Sequence, residues 1–271
     1  MSSALVDASP ELFDGQAGAF DQRVGLQTAH CRQIGAAVLE LGGGEAADLV
    51  VEAGAGTGEI GVWLAAHRRY VGFDLSSGML RRFSERLAGS TAGCLLVRAD
   101  ANRGWPLAAG EASVIFSSRA IHLFDPDHVA NEVFRGAQPS GATLVMGRVE
   151  RRPESLRARL AEEMRRRLRR AGIDGRGDRQ RRRLVELCLE RGAELVEPVT
   201  AAEWTASATP RRSLQAWREL PGLAGVEVPD DVRRAVLDDV ERWASEEFGG
   251  LDQAVDSPEA YVLTPLRLRG H

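Results

Sequence analysis

Val50-Val51-Glu52-Ala53-Gly54-Ala55-Gly56-Thr57-Gly58-Glu59-Ile60-Gly61 decides how this chain folds. An apolar run leads into glycines at alternate positions, and a helical apolar pattern through Ile60, Val62, Trp63 and Leu64 follows. That order predicts a buried strand, a tight turn and a helix. Glycine lets the backbone turn sharply and lets a ligand approach with no Cβ in the way. The stretch also contains Gly56-x-Gly58-x-x-Gly61, which fits the dinucleotide fingerprint but does not by itself distinguish one nucleotide-like ligand from another.

Working outward, the same alternation repeats. Short apolar runs at Tyr70–Asp74, Cys94–Asp100, Ala112–Ser118 and Ala142–Gly147 predict further strands, separated by helical stretches such as that through Met79, Leu80, Phe83 and Leu87. Strand and helix in turn imply a parallel, doubly wound α/β sheet, in which ligands bind beyond the carboxyl ends of the strands. Glu194–Val199 reads as a sixth strand, and Tyr261–Leu268, carrying Pro265, as a final strand tolerant of an edge. The expected architecture is a Rossmann-like, mostly parallel seven-stranded sheet with a helical cap inserted after the fifth strand. Its parts are N-terminal lid helices over 1–44, a cofactor-binding core over 45–150, a cap over 151–193 and a C-terminal completion over 194–271.

Composition narrows the chemistry. The chain has 271 residues and a formal net charge of −4, and all 35 basic residues are arginine. Schiff-base, P-loop and general-base lysine chemistry are therefore excluded. Cys31, Cys94 and Cys188 cannot pair completely and lack metal-ligand spacing, so no metal is expected and a reduced, cytoplasmic setting is. No leader pattern and no long apolar run point to a membrane. Charge is unevenly spread: residues 151–183 hold 14 Arg against 5 Asp and Glu, a local +9 on a remainder of −13. This stretch reads either as a solvated helical hairpin over the sheet or as a face for an acidic partner or nucleic acid. No aromatics interleave it, which argues against stacking on single strands.

Two acids sharpen the ligand. Asp74 ends the second strand, where a carboxylate can accept both hydroxyls of a ribose. Asp100, followed by Ala101, ends the third, where a carboxylate can accept an adenine amino group. With Glu52 they place three acids beyond consecutive strand ends. Such a pocket suits a cationic ligand with an amino group better than a pyrophosphate, which needs donors and a helix dipole.

VEAGAGTGEIG, VGFDLSSGML, RADANRGWPL, ASVIFSSRAIHLFD and QPSGATLVM, in that order, resemble the class I S-adenosylmethionine-dependent methyltransferases, in particular the ubiquinone-biosynthesis-like, methyltransferase type 11 group acting on small molecules. The resemblance covers roughly residues 12–150. It implies S-adenosyl-L-methionine as cofactor and S-adenosyl-L-homocysteine as product. It places Gly54, Ala55, Gly56 and Gly58, with Glu52, on the methionine side, Asp74 on the ribose, Leu75 and Met79 on the adenine face, and Asp100 and Ala101 on the adenine edge. Ser117 and Ser118 would pass under the methionyl group. The segment FDGQAGAFDQR, with Phe20 and Arg23, resembles the family's lid, although Phe20 stands where the family often carries a tyrosine.

The implied reaction moves a methyl to an oxygen, nitrogen or carbon of a small-molecule acceptor, from a monomer or homodimer. His122, just after the fourth strand, is a candidate general base, with His30 a second of the same kind; packing is an equal reading for His122. Two alternatives stay open: an RNA or protein methyltransferase docking through the arginines, and a non-catalytic cofactor-binding partner protein. An NAD-dependent oxidoreductase is set aside, because acids surround the pocket and no second catalytic domain is evident.

Overall fold

The structure, a computed structural model, describes residues 26–43, 48–87, 93–175, 178–220 and 222–269. The lid segment with Phe20 and Arg23 lies outside them.

The first half builds the alternation that the sequence predicts. Helix α1 (Thr28–Gly42) ends at Gly43, whose φ of 62° stops the helix. Strand β1 (Leu49–Ala53) is buried along its whole length. Then come α2 (Gly61–Ala65), β2 (Arg69–Asp74), α3 (Ser77–Leu87), β3 (Cys94–Arg98) and β4 (Ala112–Ser118). Helix α4 (Pro126–Gly136) has Asp125 as N-cap and Pro126 at its first position. Strand β5 (Ala142–Arg151) runs four residues beyond the expected end.

The second half is α5 (Leu156–Arg170), α6 (Arg179–Glu190), β6 (Glu194–Leu195), β7 (Val199–Ala208), α7 (Pro210–Arg218), β8 (Gly222–Leu223), β9 (Val226–Glu227), α8 (Asp230–Glu247) and β10 (Val255–Leu268). The main sheet has the order β3-β2-β1-β4-β5-β10-β6, and β7 also pairs with β10 as its eighth strand. β1 pairs in parallel with β2 and β4, β2 with β3, and β4 with β5, so the strands that carry the glycine turn and both acids end on one side. β6 runs antiparallel to β10.

Two expectations about strands need correction. The single sixth strand over 194–199 is two strands, β6 and β7, interrupted at Val196–Pro198. The final strand is interior rather than an edge, lying between β5 and β6. Pro265 is tolerated there because β6 is short and its neighbour Val196 donates its N–H to the Pro265 carbonyl (3.0 Å), the one ladder group that proline keeps.

The described residues form two compact units, one within 26–148, 179–202 and 261–269, the other within 149–178 and 203–260. Each has its own core. The first packs Val51, Phe73, Ile115, Leu144 and Leu266 with Leu184, Leu187 and Cys188 of α6. The second packs Leu156, Leu160, Met164 and Leu168 of α5 with Leu214 of α7 and Val236, Leu237 and Val240 of α8. The arginine-rich helices α5 and α6 fall in different units. Each has an apolar stripe, and the two stripes are buried in different cores. Among the described residues no helix is long and apolar enough to cross a membrane.

Candidate active site

The turn after β1 is tied to β2 before any side chain enters. Gly54 and Ala55 both donate their N–H groups to the Phe73 carbonyl (2.9 and 3.0 Å). Gly54, Gly56 and Gly58 all have positive φ, which an L side chain rarely adopts. The surroundings of two of them differ. A Cβ on Gly58 would stand 2.1 Å from the Phe83 ring, so this glycine lets α3 pack against the turn. A Cβ on Gly56 would meet nothing within 4 Å, so here the backbone faces open space that a ligand can approach.

Asp74 is set against that opening. Its Oδ2 accepts the Gly56 N–H and its Oδ1 the Ser76 N–H, each at 2.9 Å. Two backbone donors hold the half-exposed carboxylate at the end of β2, oriented before a ligand arrives. Ser76 in turn accepts the Met79 N–H through its hydroxyl (3.1 Å) at the start of α3. Met79 is buried, Leu75 is half-buried, and the Leu75 carbonyl accepts from Arg98 (3.2 Å).

The loop after β3 is equally well fastened. Asp100 accepts the Asn102 N–H (2.9 Å) and lies 3.6 Å from Arg103. Asn102 accepts the Asp125 N–H (2.6 Å). Ala101 is buried, and its carbonyl accepts from the Trp105 indole (3.1 Å), whose ring lies 5.3 Å from that of Phe73. From α4, Glu132 accepts the Trp105 N–H (2.9 Å), while Arg135 donates to the Leu107 carbonyl (2.7 Å) and pairs with Glu132 (2.5 Å). Those arginine bonds hold the Glu132 carboxyl below its ordinary range against the opposing effect of burial.

Two expected ligand contacts are turned inward. Glu52 is 2 % exposed, and its Oε2 accepts the Tyr70 hydroxyl at 2.5 Å. Burial, reinforced by the nearby Asp74 charge, pushes its carboxyl up to about 8 although the Tyr70 bond opposes the shift. At neutral pH it is an uncharged group that shores up the turn from within. The expected trio of acids is therefore a pair of outward carboxylates, Asp74 and Asp100, over one neutral acid. Ser117 donates its hydroxyl to the Ala53 carbonyl (2.9 Å), and Ser118 shares a 2.5 Å hydrogen bond with the buried Tyr261. The two serines fasten the end of β4 to β1 and to β10.

The two histidines stand apart in environment. His122 is exposed, in a 3-10 turn (Ile121–Leu123) directly after β4. His30 is half-buried in the first turn of α1.

The sequence reading passed over Glu59 and Arg119. Glu59 is almost wholly buried inside the glycine turn. It accepts the Leu26 N–H (2.9 Å) on one oxygen and pairs with Arg119 (2.5 Å) on the other. Arg119 has the left-handed φ of 57° that non-glycine residues rarely take, and its N–H donates to the Gly147 carbonyl (2.9 Å). A glutamate among glycines was the available signal for the first. Nothing in the local pattern marks the second.

Residues 50–141, about a third of the chain, match the family described as "Methyltransferase domain". A search of curated proteins found no match. Among solved structures, a Bacillus halodurans protein provisionally assigned as a methyltransferase is similar at 15 % identity, over 87 % of this chain and 98 % of that one, with a TM-score of 0.57. A phosphoethanolamine N-methyltransferase of Haemonchus contortus, in complex with S-adenosyl-L-methionine, is similar at 12 % identity over 95 % of this chain and 57 % of that one (TM-score 0.51). The [4+2]-cyclase SpnF is similar at 15 % identity over 89 % and 81 % (TM-score 0.52).

Proposed function

We propose that this chain is a class I S-adenosylmethionine-dependent methyltransferase that methylates a small molecule, and that Asp74, Gly56, Asp100 and Ala101 are the residues that hold its cofactor. One observation carries the reading: a carboxylate fixed by two backbone N–H groups at the end of β2, beside a glycine whose missing Cβ leaves open space. A ribose diol offers the donors that such a carboxylate accepts, and a thioether or sulfonium chain can lie against bare backbone. These residues therefore fit an adenosyl sulfonium. They fit a pyrophosphate poorly, since Asp74 already takes the Gly56 N–H that a phosphate would need.

S-adenosylmethionine, when bound, supplies a methyl already activated on its sulfur. The chain's task is to orient it and to bring the acceptor into line. The pinned turn, the β3 loop braced by Glu132 and Arg135, and the β4 end fixed through Ser117 and Ser118 give a rigid frame for that alignment. A hydroxyl or phenol acceptor also needs its proton removed. His122 is exposed directly after β4 and is the residue we assign to that role; an amine acceptor would not need it.

A small acceptor is favoured over nucleic acid by the fate of the arginines. Arg151 and Arg157 pair with the buried Glu259, Arg159 with Glu247, Arg165 and Arg169 with Glu162, Arg166 and Arg167 with the buried Glu163, and Arg183 with Glu186 and Glu190. Eight of the fourteen arginines of 151–183 are thus paired with acids of the chain, which leaves fewer for phosphates. The test is transfer of labelled methyl from S-adenosylmethionine into a small-molecule extract, into RNA and into protein. Label in the small-molecule fraction supports the reading. Label confined to RNA or protein overturns it.

A further inference from the structure

We infer that Glu59 and Arg119 form an anchor that fastens the chain leading into α1 to the cofactor turn, and that cofactor affinity depends on this anchor. The inference rests on the methyltransferase reading of the site. It adds two positioning residues to it, neither of which touches the reacting atoms.

Three pieces of the site meet at one carboxylate. Glu59 belongs to the glycine turn itself, one residue beyond Gly58. Its Oε1 accepts the N–H of Leu26, thirty-three residues earlier, and its Oε2 takes the guanidinium of Arg119 from the end of β4. Arg119 is held in its left-handed conformation by its own N–H, bonded to Gly147 on β5. Leu26, the turn and the end of β4 thus meet at one carboxylate, and β5 holds Arg119 through its backbone.

The start of α1 depends on this contact more than a helix start ordinarily would. Gln27 at its N-cap makes no side-chain capping bond. The segment is instead held by the Leu26–Glu59 bond and by the buried Cys31, whose thiol reaches the Leu26 carbonyl (3.7 Å). Farther along, Arg32 stacks over the Trp63 ring (4.6 Å), and Gly35 leaves room for Trp63 to lie against the helix. Those contacts keep α1 on α2. Glu59 ties Leu26 to the turn.

Glu59 is 4 % exposed in its side chain and Arg119 23 %, so removing either partner leaves a charge in a site poor in water. The surroundings would then open. Apparent affinity falls in proportion to the fraction of molecules that remain competent. If a broken anchor leaves roughly one molecule in ten ordered, the dissociation constant rises about tenfold.

The test uses the full chain and S-adenosylhomocysteine as probe. Glu59→Gln keeps an oxygen for the Leu26 N–H and loses the charge for Arg119. Arg119→Gln loses the other half, and Arg119→Lys restores a charge-assisted bond to Oε2. The expected result is a dissociation constant raised about tenfold in both Gln variants. Amide exchange over 26–31 should be faster in both, the double variant should be no worse than either single one, and Arg119→Lys should be close to wild type. In turnover, the KM for the cofactor should rise with kcat largely kept, a split that general loss of folding would not produce. Wild-type affinity and wild-type exchange in both Gln variants would overturn the anchor. If the unaltered chain fails to bind S-adenosylhomocysteine, the cofactor reading falls instead, and exchange over 26–31 alone decides the anchor.

Discussion

Replacing Glu52 by Gln probes the packing under the glycine turn. The carboxyl is buried against Tyr70 and beneath Gly61, where an added Cβ would lie 2.8 Å from its Oε2. Burial moves it from an ordinary 4.5 to about 8. Between these two values the folded chain keeps a proton that the unfolded chain has released. Stability from this group is therefore fully present below about pH 4.5 and is lost as pH rises through 8. The slope is about 1.4 kcal/mol per pH unit, so between pH 5 and pH 8 the loss comes to about 3–4 kcal/mol. Gln has the same shape, can still bond to the Tyr70 hydroxyl and carries no titrating proton. Urea unfolding followed by circular dichroism at pH 5, 6.5 and 8 should show wild type losing stability relative to Glu52→Gln by about that amount. The transition that carries the sheet is the one to read, since the second unit has its own core. If the two proteins keep a constant stability difference across the range, the carboxyl is ionised in the fold, and the account of a neutral brace is wrong.

Gly56→Ala and Gly58→Ala should separate binding from stability. At 56 the Cβ meets no atom, so the variant should fold with a backbone strain of about 1–2 kcal/mol, while calorimetry with S-adenosylhomocysteine shows the larger loss. At 58 the Cβ enters the Phe83 ring, and thermal unfolding should fall steeply or soluble protein be lost. His122→Ala should lower turnover about 100-fold on a hydroxyl acceptor while keeping cofactor affinity. Because His122 is exposed, the variant should keep its melting temperature, and unchanged turnover would remove His122 from the reaction. RNA binding, measured by filter retention across salt, should be weak, because six of the seven arginines of α5 pair with Glu162, Glu163, Glu247 and Glu259. Tight binding with a steep salt slope would reopen the docking reading.

What the sequence discloses and what it hides follow from the range of the forces involved. The strands β1 to β5 and the turn after β1 are legible because their signals are local: apolar runs, glycines where φ is positive, an acid at a strand end. The division into two units is not. Leu156, Leu160, Met164 and Leu168 announce a buried stripe without saying which core receives it, and Leu184, Leu187 and Cys188 do the same on α6. Arginine abundance looked like one surface because the pattern shows the charges of 151–183 but not Glu259 or Glu247, about a hundred and about ninety residues from their partners Arg151 and Arg159. The place of Asp74 at a strand end is legible in the sequence, whereas the inward turn of Glu52 and Ser117 depends on Tyr70 and on the Ala53 carbonyl. Arg119 could not be found at all, since its unusual φ is imposed by β5 and its partner lies sixty residues away.

The most direct measurement is a calorimetric titration of the chain with S-adenosylhomocysteine and, separately, with NAD, repeated on Asp74→Ala. An adenosyl sulfonium site predicts saturable binding of S-adenosylhomocysteine, no comparable binding of NAD, and a loss of about 2–4 kcal/mol on removing the Asp74 carboxylate. Binding of NAD in preference, or an affinity for S-adenosylhomocysteine that Asp74→Ala leaves unchanged, would contradict the assignment of this pocket.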